Sequence, residues 1–299
     1  MKRSEYLLTR RDFIKGTGCA ALGLAAGLPV LADETADPLV KARVVLVRQE
    51  DVIGSDGAIR GEIIQDMLDQ AMMALFDQDD PTASWKLRIT PDDVVGIKSN
   101  EWSDLRTPPE LEQAIKSGVM EAGVPEENIS IGDRGVRSDP VFRRATALIN
   151  TRPLRTHAWS GVGSLIKNHI MFTDEPPKYH DNACADLGAL WHLPAVKGKT
   201  RLNILVMLTP LFHGRGWHHY DPAYIWPYKG LLVSTDPVAA DTVGLQILQA
   251  KRRAHFGDER PLKPSPHHIV FADTRHHLGT SDPGKIELIR LGWDQDILI

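Results

Sequence analysis

Cysteine is nearly absent from this chain of 299 residues: there are two, Cys19 and Cys184. Cys19 lies in a leader segment that reads as removable, which leaves Cys184 alone in the mature chain. A single cysteine excludes an intramolecular disulfide, and it cannot supply the thiolate set of an iron–sulfur cluster or a structural zinc finger. Long apolar runs are missing too. The small-and-apolar run from Gly16 to Val30 falls short of the roughly 18 residues that a membrane span needs. There are no internal repeats, low-complexity tracts or obvious domain linkers. A surplus of positive charge is also lacking, since the formal net charge is −4. An acidic chain without a basic stripe argues against a nucleic-acid partner.

What is there begins with Thr9-Arg10-Arg11-Asp12-Phe13, then the apolar run, then Val30-Leu31-Ala32. A charged start, an apolar middle and a small-residue end follow the order of a secretory signal, and the paired arginines followed by Phe13 resemble a twin-arginine (Tat) signal. Cleavage is expected after Ala32. Residues 1–32 would then be the signal and 33–299 a single domain, exported to the periplasm by the Tat machinery. Five of the 35 basic and two of the 39 acidic residues lie in the signal, so the mature chain carries 30 basic and 37 acidic residues, a net of −7.

The mature chain alternates strand-like and helix-like stretches. Ala42–Arg48, 93–100, 129–133, 147–150, 202–208 and Gly230–Ser234 are apolar or β-branched runs of strand length. Ile63, Ile64, Met67, Leu68, Ala71, Met72 and Leu75 have helical spacing across 61–76. Thr107 with Pro108 and Pro109 opens another helix, and 181–191 reads as helical. Alternation of this kind predicts an α/β fold, a mostly parallel sheet covered by helices on both faces, with its ligand cleft at the carboxyl ends of the strands. Polar residues collect at those ends: Lys98 and Asn100, Asp133, Asn150, and Thr235 with Asp236.

The centre of the chain is 154–172, a turn-rich run through Ser160, Gly161, Gly163 and Ser164 that feeds a helix. At about 100° per residue, Ser160, Ser164, Lys167 and Asn168 share one face while Val162, Leu165, Ile166 and Ile170 share the other. The helix N-terminus and Lys167 together form an expected anion site. Further on, Asp236 with Pro237 forms an N-cap and N1 pair, which places Asp241 on the apolar stripe between Val238, Leu245 and Leu248. A carboxylate there needs a partner, expected to be Lys167, Lys98 or His157. The stretch from Thr209 to Lys229 carries His213, Arg215, Trp217, His218 and His219, as a ligand-contacting or lid loop does. The histidine spacing fits no established metal pattern, so the metal question stays open. His267-His268 and His276-His277 read as surface or helix-terminal residues, and His169 as a core histidine.

Several short motifs occur in one order: Gly-Ile-Lys98-Ser-Asn100, Ile-Gly-Asp133, Leu-Arg155-Thr-His157 with Gly161 and Lys167-Asn168 after it, Tyr179-His180-Asp181, and Ser-Thr-Asp236-Pro-Val-Ala-Ala-Asp241. Their combination resembles the domain of unknown function 362 family across nearly the whole mature chain. The resemblance implies an α/β fold and a site built from those segments, in a family with no settled common reaction. Many relatives carry ferredoxin-type cysteine clusters, which this chain lacks, so a redox role would need a partner protein or another cofactor. It also departs at Met207, where an acidic residue is common, and at His213-Gly-Arg-Gly, where a Gly-Pro segment is usual.

Two functions follow as expectations. One is an exported enzyme acting on a small anionic or cofactor-like ligand: Lys98 and Lys167 bind or polarise charge, His157 or His180 moves protons, and Asp133 and Asp241 orient them. In this reading Lys167, His157, Asp241 and Asp133 are catalytic, and Lys98, Asn100, Ser160, Ser164, Asn168, His180, Asp236, His213 and Arg215 bind the ligand. The other is a non-catalytic periplasmic binding or assembly protein that uses the same groove and the aromatic loop.

Overall fold

The side chains of the apolar strands feed two cores, one on each face of a single sheet. In β1 (Ala42–Arg48), Val45 and Val47 enter one core while Val44 and Leu46 enter the other. In β6 (Thr200–Leu211), Leu202, Ile204, Val206 and Leu208 join the first core, and Leu205 and Met207 the second. Both faces are apolar, so these strands read as unbroken hydrophobic runs instead of alternating ones. The computed structural model describes residues 41–214 and 220–299. The expected signal at 1–32 and the residues Arg215, Trp217, His218 and His219 lie outside them.

The sheet has eight strands in the order β3-β2-β4-β6-β7-β1-β8, with β5 paired to β4 off that path. Here β2 is Val95–Lys98, β3 Ile129–Gly132, β4 Ala147–His157, β5 Gly161–Gly163, β7 Gly230–Ser234 and β8 Ile286–Gly292. β2 runs parallel to β3 and β4, β4 parallel to β6, and β1 parallel to β8, whereas β7 is antiparallel to β6 and β1. This is the expected mostly parallel α/β sheet.

One face is covered by α1 (Gly61–Phe76), α2 (Pro81–Lys86) and α3 (Pro109–Glu121). α1 buries Ile64, Met67, Leu68, Ala71, Met72 and Leu75, the stripe its sequence spacing predicts, and stops at Asp77 with a left-handed φ of 52°. α4 (Pro140–Arg144) sets Phe142 into a smaller cluster with Leu148 and Phe172. The other face carries α5 (Leu165–Asn168), α6 (Pro237–Phe256) and α7 (His267–Thr274). Asp236 caps α6 as expected, accepting from the backbone N–H of Val238 and Ala239, and Pro237 takes the first turn.

Three expectations are corrected. The strand read as 147–150 continues to His157, and all eleven of its residues are buried. The stretch 181–191 is not a continuous helix: Asn182, Ala183 and Cys184 form a left-handed turn with φ of 48°, 56° and 62°, followed by a 3-10 segment Leu187–His192. And because β7 runs antiparallel, the chain leaves it away from the carboxyl ends of β2, β3 and β4. Asp236 therefore lines a separate hollow with Lys41, Arg43 and Lys285.

Candidate functional site

A cavity of about 370 Å³ opens beyond the carboxyl ends of β2 and β3, against the long second half of β4. Its wall includes Asn100, Asp133, Arg152, Arg155, His157, Lys167, Asn168 and His180, with Trp102 and Trp159 among them. β4 supplies most of the charge. It pairs with β2 only over Ala147–Asn150, then runs on alone on that side, and its register with β6 breaks between Pro153 and Arg155 before it folds back on β5. The flank left unpaired between Asn150 and Arg155 gives Arg152 room to line the cavity, and Arg155 and His157 follow where β4 pairs with β5. Gly163 leaves space for a guanidinium, since a Cβ there would sit 3.1 Å from Arg152 Nη2.

Beneath the cavity lies a network of buried amides. Asn168 Nδ2 lies 2.8 Å from Asn150 Oδ1, 3.0 Å from the Thr151 carbonyl and 3.1 Å from the Lys98 carbonyl. Asn150 in turn donates to Asn203 Oδ1 and to the Leu165 carbonyl. Asn168 thus ties α5 to β2 and β4. Lys98 is fully buried, with its Nζ 2.5 Å from Asp133 Oδ1 and 2.7 Å from the Ser99 carbonyl. Burial lowers its pKa to about 8 despite that partner. Burial alone would raise the Asp133 carboxyl, but Lys98 and the Glu101 N–H outweigh it and hold the group below its ordinary value.

The helix N-terminus does not present its donors to a ligand. Asp241, fully buried on α6, accepts from Leu165 N at 2.9 Å, Ile166 N at 3.0 Å and the Ser164 hydroxyl at 2.6 Å. The anion at this N-terminus is therefore the protein's own carboxylate. The expectation that Asp241 hydrogen-bonds Lys167, Lys98 or His157 is not met: it fastens α5 to α6 from behind the cavity wall. Burial pushes its pKa up to about 6, against the pull of those three donors. Ser164 is spent on Asp241 and Ser160 on the Val162 carbonyl, so the two serines face inward instead of into the cavity. His213 meets Tyr224 edge to face and lines a different cavity with Arg252 and Arg260. Of the predicted set, Asn100, Asp133, His157, Lys167, Asn168 and His180 line one cavity, and Lys98 sits at its floor.

Charge in the cavity is unbalanced. Arg152 and Arg155 are 4% and 6% exposed, and both Nε atoms are buried without a partner. Neither guanidinium forms an ion pair among the described residues. Arg155 lies over the Trp102 ring, 3.7 Å from its centroid. Lys167, 3% exposed, has only the Cys184 thiol at 3.6 Å, and burial, with repulsion from Arg152 and Arg155, lowers its pKa to about 8. Burial and the same cations push His157 far below its usual range. Its Nδ1 accepts from the Trp159 N–H at 3.2 Å, which leaves the proton on Nε2. His180 packs at a tilt on Trp159, ring centroids 4.4 Å apart, and burial followed by Lys167 lowers its pKa to about 4.

Arg152, Arg155, Trp102 and Trp159 escape a reading of strand-end residues because β4 looks finished at Asn150. The available signal was two arginines inside the run Ala147–His157, which is otherwise apolar enough to be a buried strand. His268, read as a surface or helix-terminal residue, is fully buried, with neither ring nitrogen hydrogen-bonded. The described residues contain no group of three or more His, Cys, Asp or Glu placed to hold a metal ion, and none of their helices is long and apolar enough to cross a membrane.

The family described as a domain of unknown function (DUF362) matches residues 107–246, which supports the resemblance read from the motifs. That span holds Asp133, β4, α5 and Asp241, while Lys98 and Asn100 precede it. No curated protein and no solved structure matches the chain.

Proposed function

We propose that this chain is an exported enzyme that binds a small anionic molecule in the cavity beside β4 and acts on it there. The observation that carries this reading is the surplus of buried positive charge. Arg152, Arg155 and Lys167 converge, and the two buried carboxylates near them are already engaged, Asp133 by Lys98 and Asp241 by α5. An uncompensated buried charge costs several kcal/mol, so the site is built to be completed by an anion. Arg152 and Arg155 offer free N–H donors in the geometry that suits carboxylate or phosphate oxygens. Trp102 and Trp159 offer surfaces for a flat or apolar remainder. His157 carries a proton on Nε2 and can donate it to the bound molecule, and a bound anion would make this imidazole easier to protonate. The chain's single mature cysteine makes no iron–sulfur cluster, so a redox role would run through a partner protein.

Thermal denaturation with phosphate, pyrophosphate and citrate, at constant ionic strength, tests the reading. Stabilisation should grow with the charge of the anion, and Arg155→Ala should weaken it at least tenfold in apparent affinity, the order of one charge-assisted hydrogen bond. Equal affinity in the variant, or no response to any of the three, would remove the proposal. Export is the second part of the reading and rests on Arg10 and Arg11. Replacing both by Lys should leave the protein in the cytoplasm, and its recovery from the periplasm would refute the twin-arginine route.

A further inference from the structure

Lys167 differs from an ordinary anion-binding lysine in what surrounds it. Its amine has no carboxylate partner, is almost fully buried, and yet lines the cavity. The groups facing it are Arg152, Arg155 and His157 from β4, His180 and Cys184 from the segment after α5, and His268 from α7. None is an anion in its ordinary state here, because burial raises the Cys184 pKa and keeps it a thiol. Lys167 Nζ donates to the Cys184 sulfur at 3.6 Å, and a neutral sulfur is a weak acceptor that offsets little of the cost of burying the ammonium. The thiol is also held deliberately. It sits at the end of three successive left-handed residues, Asn182, Ala183 and Cys184, a conformation costing of order 1 kcal/mol at each non-glycine position.

A desolvated lysine beside other cations is an activated amine nucleophile. We propose that Lys167 forms an imine with a carbonyl compound that also bears a carboxylate or phosphate, the anionic group being held by Arg152 and Arg155. The inference rests on the anion-site reading and adds a covalent step to it. The Nζ lone pair attacks the carbonyl carbon, one N–H proton passes to the carbonyl oxygen to give a carbinolamine, and loss of that hydroxyl together with the second N–H proton as one water leaves a C=N bond to Lys167. No oxidant or reductant is needed. Lys98 is excluded from this role, because Asp133 and the Ser99 carbonyl occupy its ammonium protons. Cys184 acts as a positioning residue.

Trapping tests it directly. The full-length mature protein is incubated with pyruvate or with glyceraldehyde 3-phosphate, reduced with borohydride, and mapped by peptide mass spectrometry. The expected result is one reduced adduct per chain, on the peptide containing Lys167, lost in Lys167→Arg and suppressed at least tenfold by excess pyrophosphate. Cys184→Ala should keep the adduct but move the midpoint of the trapping pH profile to lower pH, since the thiol raises the Lys167 pKa. Adducts spread over surface lysines, or none on Lys167 with either probe, would overturn the imine proposal. Anion-dependent stabilisation in the same sample would show that the anion site survives that failure. Mapping the wild-type chain keeps the test valid even if Lys167→Arg does not fold.

Discussion

Lys98 lies beneath the cavity that Lys167 lines, both are almost fully buried, and burial brings both to a pKa of about 8. Their surroundings nevertheless assign them opposite work. Lys98 meets Asp133 at 2.5 Å and a backbone carbonyl at 2.7 Å, and its own carbonyl accepts from Asn168, so it braces β2, β3 and α5. Lys167 meets two arginines and a thiol. A depressed pKa alone therefore does not identify a reactive lysine, and the difference lies in whether the protein has already supplied the counter-charge.

The sharpest way to separate the two is to remove each charge at constant length. Lys98→Met should destabilise the fold by about 3–5 kcal/mol, read by urea denaturation, because it strands Asp133 as a buried carboxylate without its cation. Lys167→Met should change stability by less than about 1 kcal/mol or raise it, while weakening the response to pyrophosphate, because it removes a charge that had no partner. Comparable losses in the two variants would erase the contrast. Asp241→Ala should fall between them, at about 1–3 kcal/mol, since it leaves two buried N–H groups of α5 and the Ser164 hydroxyl unpaired. The smallest effect is one of pH. A bound anion favours the ammonium form of Lys167, whose folded pKa lies near 8, so anion affinity should fall as pH rises through that value, and the fall should be absent in Lys167→Met.

The sheet was legible because the strands are apolar on both faces, and β1, β7 and α1 stand at their expected bounds. Six of the residues expected at a site do line one cavity, Asn100, Asp133 and His157 because side chains at the carboxyl ends of parallel strands and on the following turn are carried to one place. The antiparallel course of β7 was not legible, since strand direction depends on pairing between distant segments, and Asp236 was misplaced with it. Asp241 was correctly placed on the buried side of its helix. Its partner was misjudged because backbone N–H groups leave no mark in a sequence, and a helix of four residues offers such donors as readily as a long one. The arginines of β4 stayed hidden because a strand end was assigned where β2 stops pairing, while β4 itself goes on.

The position of β1 has a consequence in time. This strand lies between β7 and β8, pairing Val44 with Ser234 on one side and with Leu288 on the other. A ribosome releases β1 first among the eight strands and β8 last, so the first strand made has no permanent neighbour until the chain is almost complete. Loop closure over such separations is slow, and sheets of high contact order fold on the scale of milliseconds to seconds or beyond. A nascent chain holds β1 unpaired until β7 has been made, which makes that interval a period of exposure to aggregation and to chaperones. The centre of the sheet is thus complete once β7 has paired with β1, and β8 is added afterwards at its edge.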